Sequence, residues 1–179
     1  MRNIVVYELL SLDGVAEEPG DWFFDVDEET LANLGRVIAG QDAVLLGRGT
    51  YDYWVDYWPT SDVEPFASFI NATTKHVVTS SPLSRPWANS VTVAGSLTEY
   101  VADLKQQRGG DVGVHGSIRL AQSLIRAGLV DELRLVVAPT LAGKGRRLFE
   151  DGGDLRRLDL LETSGTSGGN LLVAYRAGS

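Results

Sequence analysis

The chain has 179 residues, 44% of them hydrophobic, and carries a formal net charge of -8, which predicts one soluble domain with a sizeable core. The acidic charge argues against nonspecific nucleic-acid binding, while the absence of cysteine excludes disulfides, and two histidines leave little for a metal site. No apolar run approaches the roughly 20 residues of a membrane span, and no signal-peptide pattern precedes the first strand, so we expect a cytoplasmic protein with no membrane partner.

Predicted strands and helices alternate over the first two thirds of the chain. Residues 4–10 are apolar and β-branched and predict a buried strand, followed by a long loop over 11–25. A helix is predicted over 28–39, with Asp27 as its N-cap and Gly40 at its end. Further strands are predicted over 43–46, 75–79, 91–94 and 112–115, and further helices from Arg48 and over 65–71, 97–107 and 117–127. This alternation predicts a largely parallel sheet with helices on both faces.

The last third of the chain has a different pattern. Residues 132–138 predict a strong strand, and 158–163 and 171–175 predict two more, joined through a glycine-rich stretch over 164–169. Two strands so close in sequence are expected to pair antiparallel. We therefore predict a single α/β domain over residues 1–179, with a twisted, mostly parallel sheet and an antiparallel C-terminal strand.

Small, hydroxyl or cationic residues follow several of the predicted strands. The segments are Gly47-Arg48-Gly49-Thr50, Thr79-Ser80-Ser81 and His115-Gly116-Ser117. Helix N-termini beside such strand ends are anion sites, because free N–H groups point outward and the helix dipole favours negative charge. Ligands of open α/β sheets bind beyond the carboxyl ends of the strands. We therefore expect a phosphorylated ligand as large as a dinucleotide.

A series of motifs, in this order along the chain, resembles the dihydrofolate-reductase-like superfamily. The motifs are Ser11-Leu12-Asp13-Gly14, Leu46-Gly47-Arg48-Gly49-Thr50, Val78-Thr79-Ser80-Ser81, His115-Gly116-Ser117, Leu129-Val130-Asp131-Glu132-Leu133 and Ala138-Pro139-Thr140-Leu141-Ala142-Gly143-Lys144-Gly145. Together they span nearly the whole chain and look most like the reductase domain of bifunctional riboflavin-biosynthesis deaminase–reductases.

The resemblance implies a dihydrofolate-reductase-like fold and NADPH-dependent reduction of a pyrimidine- or pterin-like heterocycle. The nearest implied activity is reduction of 5-amino-6-(5-phosphoribosylamino)uracil in riboflavin biosynthesis. Dihydrofolate-reductase-type activity is one alternative, and a dinucleotide-binding module without turnover is another.

The resemblance also implies which residues hold NADPH. Arginine suits the 2′-phosphate because it offers a planar fork of donors, and hydroxyl groups complete the shell. At the pyrophosphate, His115 departs from the usual glycine pair and is better explained as a neutral, hydrogen-bonded residue at a strand end. The expected cofactor-binding residues are Val15 and Ala16 along the nicotinamide, Gly47, Arg48, Thr50, Ser80 and Ser81 at the phosphates, and Gly116, Ser117 and Ile118 at the pyrophosphate.

Two carboxyl groups are candidates for catalysis. Glu8 lies inside an apolar strand, where an unpaired charge is costly. Either this face of the strand is wet, or Glu8 lines a pocket. In a pocket, a perturbed pKa of the Glu8 carboxyl would suit proton donation. Asp13 fits a structural turn as well as it fits a catalytic role.

The expected substrate-binding residues are Trp22, Phe24, Asp27 and Tyr51. The aromatic rings among them suit stacking on a flat heterocycle, with packing in the core or between subunits as the alternative. Asp27 falls near the position of the carboxylate that binds the pterin in folate reductases, but its spacing to Gly47 differs, and it is better explained as the N-cap of a helix. No metal site is expected.

A homodimer is expected mainly from the resemblance, because relatives of this reductase domain commonly pair. Trp54, Tyr57 and Trp58 are clustered with few charges around them. Such aromatic clusters are typical of interfaces, although cores contain them too.

Overall fold

The computed structural model describes residues 1–83, 85–149, 153 and 155–177. The strands within these residues are β1 (Ile4–Ser11), β2 (Gln41–Gly47), β3 (Thr74–Val78), β4 (Ser90–Val93), β5 (Asp111–His115), β6 (Glu132–Ala138), β7 (Leu158–Gly165) and β8 (Leu171–Ala177). The helices are α1 (Glu28–Ala39), α2 (Arg48–Trp54), α3 (Phe66–Ala72), α4 (Leu97–Gln106) and α5 (Ile118–Arg126), with short 3-10 turns at Pro19–Asp21 and Trp58–Thr60.

The strands form one 8-stranded sheet in the order β4-β3-β2-β5-β1-β6-β8-β7. Strands β1 to β6 are parallel, whereas β8 runs antiparallel to β6 and pairs antiparallel with β7. The predicted α/β class, with a mostly parallel sheet and an antiparallel C-terminal strand, is confirmed. Because β1 to β6 are parallel, all of their carboxyl ends lie at one edge of the sheet, which we call the carboxyl edge.

The helices cover both faces of this sheet, as predicted. On one face α4 and α5 pack against alternate residues of the central strands, including Ile4 and Val6. On the other face α1, α2 and α3 pack against the intervening residues, including Val5 and Val44. This arrangement follows from the alternation of side chains along each strand.

Local signals in the sequence set most element boundaries. Helix α1 begins where predicted, because the Asp27 side chain accepts the Thr30 N–H at 2.8 Å. Strand β2 begins at Gln41, two residues before the predicted start at residue 43. The polar Gln41 is buried in the strand because its Oε1 atom lies 2.8 Å from His115 Nε2, within hydrogen-bond distance. The other predicted bounds lie within two residues of those observed.

A lysine is fully buried at the start of β3. The Nζ atom of Lys75 donates to the carbonyl oxygens of Ile70 at 2.8 Å and Thr73 at 2.9 Å. These carbonyls belong to the end of α3, where backbone acceptors lack helical partners. The same Nζ lies 4.6 Å from the centre of the Trp87 ring. Burial lowers the pKa of Lys75 from 10.5 to about 8.

Replacement of this lysine by methionine is expected to change how stability depends on pH. Between about pH 8 and pH 10.5 the unfolded chain binds the Lys75 proton more tightly than the folded chain, so stability rises with pH. Relative to Lys75→Met, the natural chain should gain on the order of 1–3 kcal/mol in its free energy of unfolding across this range. Urea unfolding followed by circular dichroism at both ends of the range measures the difference, and a constant difference would contradict the prediction.

Candidate functional site

The expected phosphate-binding residues of two strands meet at the carboxyl edge. Gly47 ends β2, and its N–H donates to the Ser117 hydroxyl oxygen at 3.1 Å, just before α5. The Thr50 hydroxyl on α2 donates to the carbonyl oxygen of Gly116 at 3.4 Å. The β2–α2 and β5–α5 junctions therefore form one continuous surface, although these residues lie far apart in the sequence.

The turn into α5 has the tight backbone that the sequence suggests. Gly116 has a φ of +63°, and a Cβ atom there would lie 3.0 Å from the Cζ2 atom of Trp54, so only glycine fits without strain. Ser117 is the N-cap of α5, but its hydroxyl accepts from Gly47, and no described side chain caps the helix. The N–H groups of the first turn are left for water or an anionic ligand.

A buried carboxyl group lies beside this turn. Glu8 is only 3% exposed, and its carboxylate accepts the Gly116 N–H. Its Oε1 atom has no hydrogen-bond partner among the described residues. Burial raises the pKa of Glu8 from 4.5 to about 8, although the Gly116 hydrogen bond acts in the opposite direction. The carboxyl is therefore mostly protonated at neutral pH, and the alternative of a wet strand face does not hold.

The Arg48 side chain reaches across to the connection between β3 and β4. Its Nη1 atom lies within hydrogen-bond distance of the Ser81 hydroxyl at 2.9 Å, the Pro82 carbonyl at 3.0 Å and the Thr79 hydroxyl at 3.4 Å. Its Nε atom donates to Asp52 Oδ2 at 2.8 Å. The structure thus brings Arg48 and Ser81 together, with Ser80 exposed next to them.

Two residues of this cluster, Thr79 and Asp52, are not among the cofactor-binding residues expected from the sequence. Thr79 ends up against Arg48 only through the parallel pairing of β2 with β3. For Asp52 a signal was available, because it follows Arg48 by four positions on a predicted helix, and side chains with that spacing face each other.

Asp13 holds the loop after β1 in place. Its Oδ1 atom accepts from the Ser11 hydroxyl at 2.6 Å and the Ala142 N–H at 2.9 Å, and its Oδ2 atom accepts from the Gly143 N–H at 2.9 Å. The Ser11 bond and then the two backbone bonds lower the pKa of Asp13 to about 2. An ionised carboxylate has no proton to give at neutral pH, so these contacts favour the structural role over the expected catalytic role.

Val15 and Ala16 are buried in the same loop. The N–H of Val15 donates to the Ser11 hydroxyl at 2.9 Å, and the N–H of Ala16 donates to the Arg146 carbonyl at 2.9 Å. The loop is thus anchored to the segment that follows β6, and the position of both residues is fixed without a ligand.

The structure does not bring the expected substrate residues into one pocket within the described residues. Tyr51 is fully buried, and its hydroxyl donates to the Arg85 carbonyl at 2.8 Å. The expectation that Tyr51 stacks on a substrate is corrected, because its ring is part of the core. Trp22 is also buried, with its Nε1 donating to the Glu17 carbonyl at 2.8 Å, whereas Phe24 is 70% exposed.

Both carboxylate oxygens of Asp27 are engaged within the chain. Oδ1 accepts the Thr30 N–H, and Oδ2 accepts the Gly168 N–H at 3.0 Å and the Thr166 hydroxyl. Burial acts to raise the pKa of Asp27, but these hydrogen bonds outweigh it and lower the pKa to about 2. The turn between β7 and β8 therefore covers the carboxylate, and Asp27 acts as an N-cap instead of a substrate ligand.

His115 is a neutral residue of the core. It is 3% exposed, its Nε2 lies 2.8 Å from Gln41 Oε1, and its ring packs against Phe66 with centroids 5.2 Å apart. Burial lowers its pKa to about 3. The interpretation of His115 as a neutral, hydrogen-bonded strand-end residue is confirmed.

The part of the chain that the structure describes has neither a metal site nor a membrane-spanning helix. It holds no group of three or more His, Cys, Asp or Glu side chains placed to bind a metal ion. It also contains no helix with the length and apolar character needed to cross a membrane.

The strand order and the antiparallel C-terminal strand are those of a dihydrofolate-reductase-like α/β fold. Residues 2–172 match the model of the family described as RibD C-terminal domain. The chain belongs to that family.

Two proteins of Bacillus subtilis strain 168 are similar in sequence, and both are described as uncharacterised. The chain is 28% identical to YyaP over 181 residues, which cover 97% of this chain and 94% of YyaP. It is 29% identical to YwjB over 153 residues, which cover 84% of each protein.

Solved structures share the fold. A putative riboflavin biosynthesis protein from Shewanella sp. PV-4 has a TM-score of 0.78 at 19% identity, over 99% of both chains. A pyrimidine reductase-like protein from Corynebacterium diphtheriae has a TM-score of 0.71 at 17% identity, over 99% of this chain and 92% of its own. A deaminase/5-amino-6-(5-phosphoribosylamino)uracil reductase from Thermotoga maritima has a TM-score of 0.71 at 15% identity, and the match covers 99% of this chain but 57% of that protein.

Replacement of Ser117 by alanine is expected to loosen the junction at the carboxyl edge, because it removes the acceptor of the Gly47 N–H. The Gly47 N–H is only partly buried, and a typical hydrogen bond contributes about 0.5–1.5 kcal/mol net, so the free energy of unfolding should fall by that amount. The matched control is Ser123→Ala on the same helix, whose hydroxyl donates to the Arg119 carbonyl; it should change stability by about 0.5 kcal/mol or less. Urea denaturation compares the two variants, and equal losses would contradict the assigned role of Ser117.

Proposed function

We propose that the protein is an NADPH-dependent reductase of a pyrimidine-like heterocycle, with 5-amino-6-(5-phosphoribosylamino)uracil as the nearest candidate substrate. Membership of the RibD C-terminal domain family supports reductase chemistry. The cofactor assignment rests on the carboxyl edge of the sheet. There the uncapped start of α5 lies beside the β2–α2 junction, which includes Gly47 and Thr50.

The donors at this edge fit a phosphorylated dinucleotide. The first N–H groups of α5, from Ser117 and Ile118, would hold the pyrophosphate, because no described side chain competes for them. The N–H of Gly116 already donates to Glu8, so Gly116 would contribute the close approach of its backbone instead.

The 2′-phosphate of NADPH would lie between α2 and the segment after β3. Arg48, Ser80 and Ser81 supply a guanidinium group and two hydroxyls there, and Gly47 and Thr50 complete the wall towards α5. A cation with flanking hydroxyls is a donor set that suits a phosphate. NADH has no 2′-phosphate and could not use these donors.

The bound cofactor supplies the hydride, and the protein supplies geometry and a proton. Val15 and Ala16 form a fixed wall along which the nicotinamide would lie. Glu8 holds a proton on its buried carboxyl at neutral pH, and we propose it as the proton source. Phe24 is the candidate for stacking on the substrate because its ring is exposed.

The contacts of Asp27 argue against dihydrofolate as the substrate. A pterin ring bound by that carboxylate would have to displace the Gly168 N–H and the Thr166 hydroxyl. We therefore place the pyrimidine substrate ahead of the pterin.

Assays of NADPH oxidation with ribosylaminopyrimidine phosphates and with dihydrofolate, alongside calorimetric titration of the cofactor, test this function. Turnover of the pyrimidine without turnover of dihydrofolate is the expected result. Binding of NADPH without turnover of any substrate would identify a dinucleotide-binding module, and the absence of NADPH binding would overturn the proposal.

Arg48→Ala is expected to weaken NADPH binding far more than NADH binding. A hydrogen bond to a charged group contributes roughly 1.5–3 kcal/mol, so the Kd for NADPH should rise about tenfold to a hundredfold. Arg36→Ala, which removes an exposed arginine from α1, serves as the matched control and should leave both affinities unchanged. Fluorescence titration with each cofactor measures the effect, and equal losses for NADPH and NADH would refute the phosphate assignment.

Glu8→Gln is expected to lower kcat by about a hundredfold or more, because general acid catalysis contributes on that scale, while the Kd for NADPH stays within about twofold. In the natural protein kcat should fall as the pH rises through about 8, since the carboxyl then loses its proton. The variant should lack this fall. Unchanged kcat in Glu8→Gln would show that another group donates the proton.

We also propose a homodimer. Exposed apolar side chains on the β7–β8 edge support it, namely those of Leu160, Leu161 and Leu171. In the aromatic cluster considered from the sequence, Trp54 and Trp58 are half-buried against Phe66, whereas Tyr57 is exposed.

A further inference from the structure

We propose that Asp52 limits the affinity of this protein for the 2′-phosphate of its cofactor by neutralising Arg48. The inference rests on the proposed cofactor site and adds to it a residue that sets the preference between phosphorylated and unphosphorylated dinucleotides. Asp52 would act through Arg48, without touching the ligand.

The two side chains form a close and partly shielded pair. Asp52 Oδ2 accepts from Arg48 Nε at 2.8 Å, and the side chains are 37% and 28% exposed. Attraction between opposite charges is stronger there than in open water, because part of the solvent is excluded. The pair is also held by the helix, since the residues are four positions apart on α2.

The other partners of Arg48 among the described residues are uncharged. Its Nη1 atom faces the hydroxyls of Thr79 and Ser81 and the carbonyl oxygens of Ser81 and Pro82. These oxygens fix the direction of the guanidinium group but leave its charge uncompensated. Asp52 is the group that compensates it, so an incoming phosphate meets a nearly neutral pair instead of a free cation.

A second arginine lies nearby, but its charge is already balanced. Arg85 forms an ion pair with Asp56, and its Nη2 donates to the main-chain carbonyl of Asp52 at 2.7 Å. The side chain of Asp52 has no bond to Arg85, and its Oδ1 atom has no hydrogen-bond partner among the described residues. The negative charge of Asp52 is therefore directed at Arg48.

Removal of this charge has a defined consequence for ligands. In Asp52→Asn the amide oxygen can still accept from Arg48 Nε, so the guanidinium group keeps its position while its positive charge becomes available. We expect the affinity for a 2′-phosphate to rise about threefold to tenfold. A ligand that lacks this phosphate should be little affected, because salt screens more distant charges over about 10 Å.

The test uses two small probes that differ only in the 2′-phosphate, adenosine 2′,5′-bisphosphate and adenosine 5′-monophosphate. Calorimetric titration is performed on the natural protein, on Asp52→Asn and on Asp56→Asn. The last variant is the matched control, because it removes the same charge from the neighbouring ion pair. Circular dichroism establishes that all three proteins are folded.

Tighter binding of the bisphosphate by Asp52→Asn, with unchanged binding of the monophosphate and no change in Asp56→Asn, is the expected result. Weaker bisphosphate binding by Asp52→Asn would overturn the inference, because Asp52 would then serve to orient Arg48. If Asp56→Asn bound the bisphosphate equally more tightly, or if Asp52→Asn also bound the monophosphate more tightly, the inference would be overturned, because the effect would then be a general one of net charge.

The same titrations separate this inference from the proposed function. If the natural protein binds neither the bisphosphate nor NADPH, the proposed cofactor site is wrong and the inference falls with it. If the natural protein binds both and Asp52→Asn leaves the affinities unchanged, the cofactor site stands and only the role of Asp52 is refuted.

Discussion

The hydrogen bond from the Gly47 N–H to the Ser117 hydroxyl joins the two strand–helix junctions on which the candidate site depends. It has two effects. It fixes the start of α2 against the start of α5, and it turns the serine hydroxyl away from its own helix, so the first N–H groups of α5 stay without a cap. A hydroxyl that capped its own helix would stabilise α5 but would occupy the place of an anion.

The ionisable groups around the sheet fall into two sets with opposite behaviour. Glu8, Lys75 and His115 are removed from water without a charged partner among the described residues, so burial favours their neutral forms. Asp13 and Asp27 accept several hydrogen bonds and remain ionised. The first set makes the stability depend on pH in different ranges, between about 3 and 6.5 for His115, about 4.5 and 8 for Glu8 and about 8 and 10.5 for Lys75. The second set fixes loops over the whole range in which proteins normally work.

Local patterns in the sequence were sufficient for the fold. The alternation of apolar strands with capped helices predicts the parallel sheet, and parallel strands place Gly47 and Gly116 at one edge. The environment of the substrate candidates was not predictable in this way. The contact between Asp27 and Thr166 joins residues 139 positions apart, and the burial of Tyr51 depends on a loop that no periodicity describes. Of the contacts that were not predicted, the Arg48–Asp52 pair was open to prediction from its spacing of four residues on a helix.

Two arginines cross between α2 and the connection that follows β3, in opposite directions. Arg48 reaches from the helix to Ser81 and Pro82, and Arg85 reaches back from the connection to Asp52 and Asp56. Each segment thus holds the other at two points, so neither can open without the other. The wall that would receive the adenosine end of a dinucleotide is therefore expected to behave as one rigid unit.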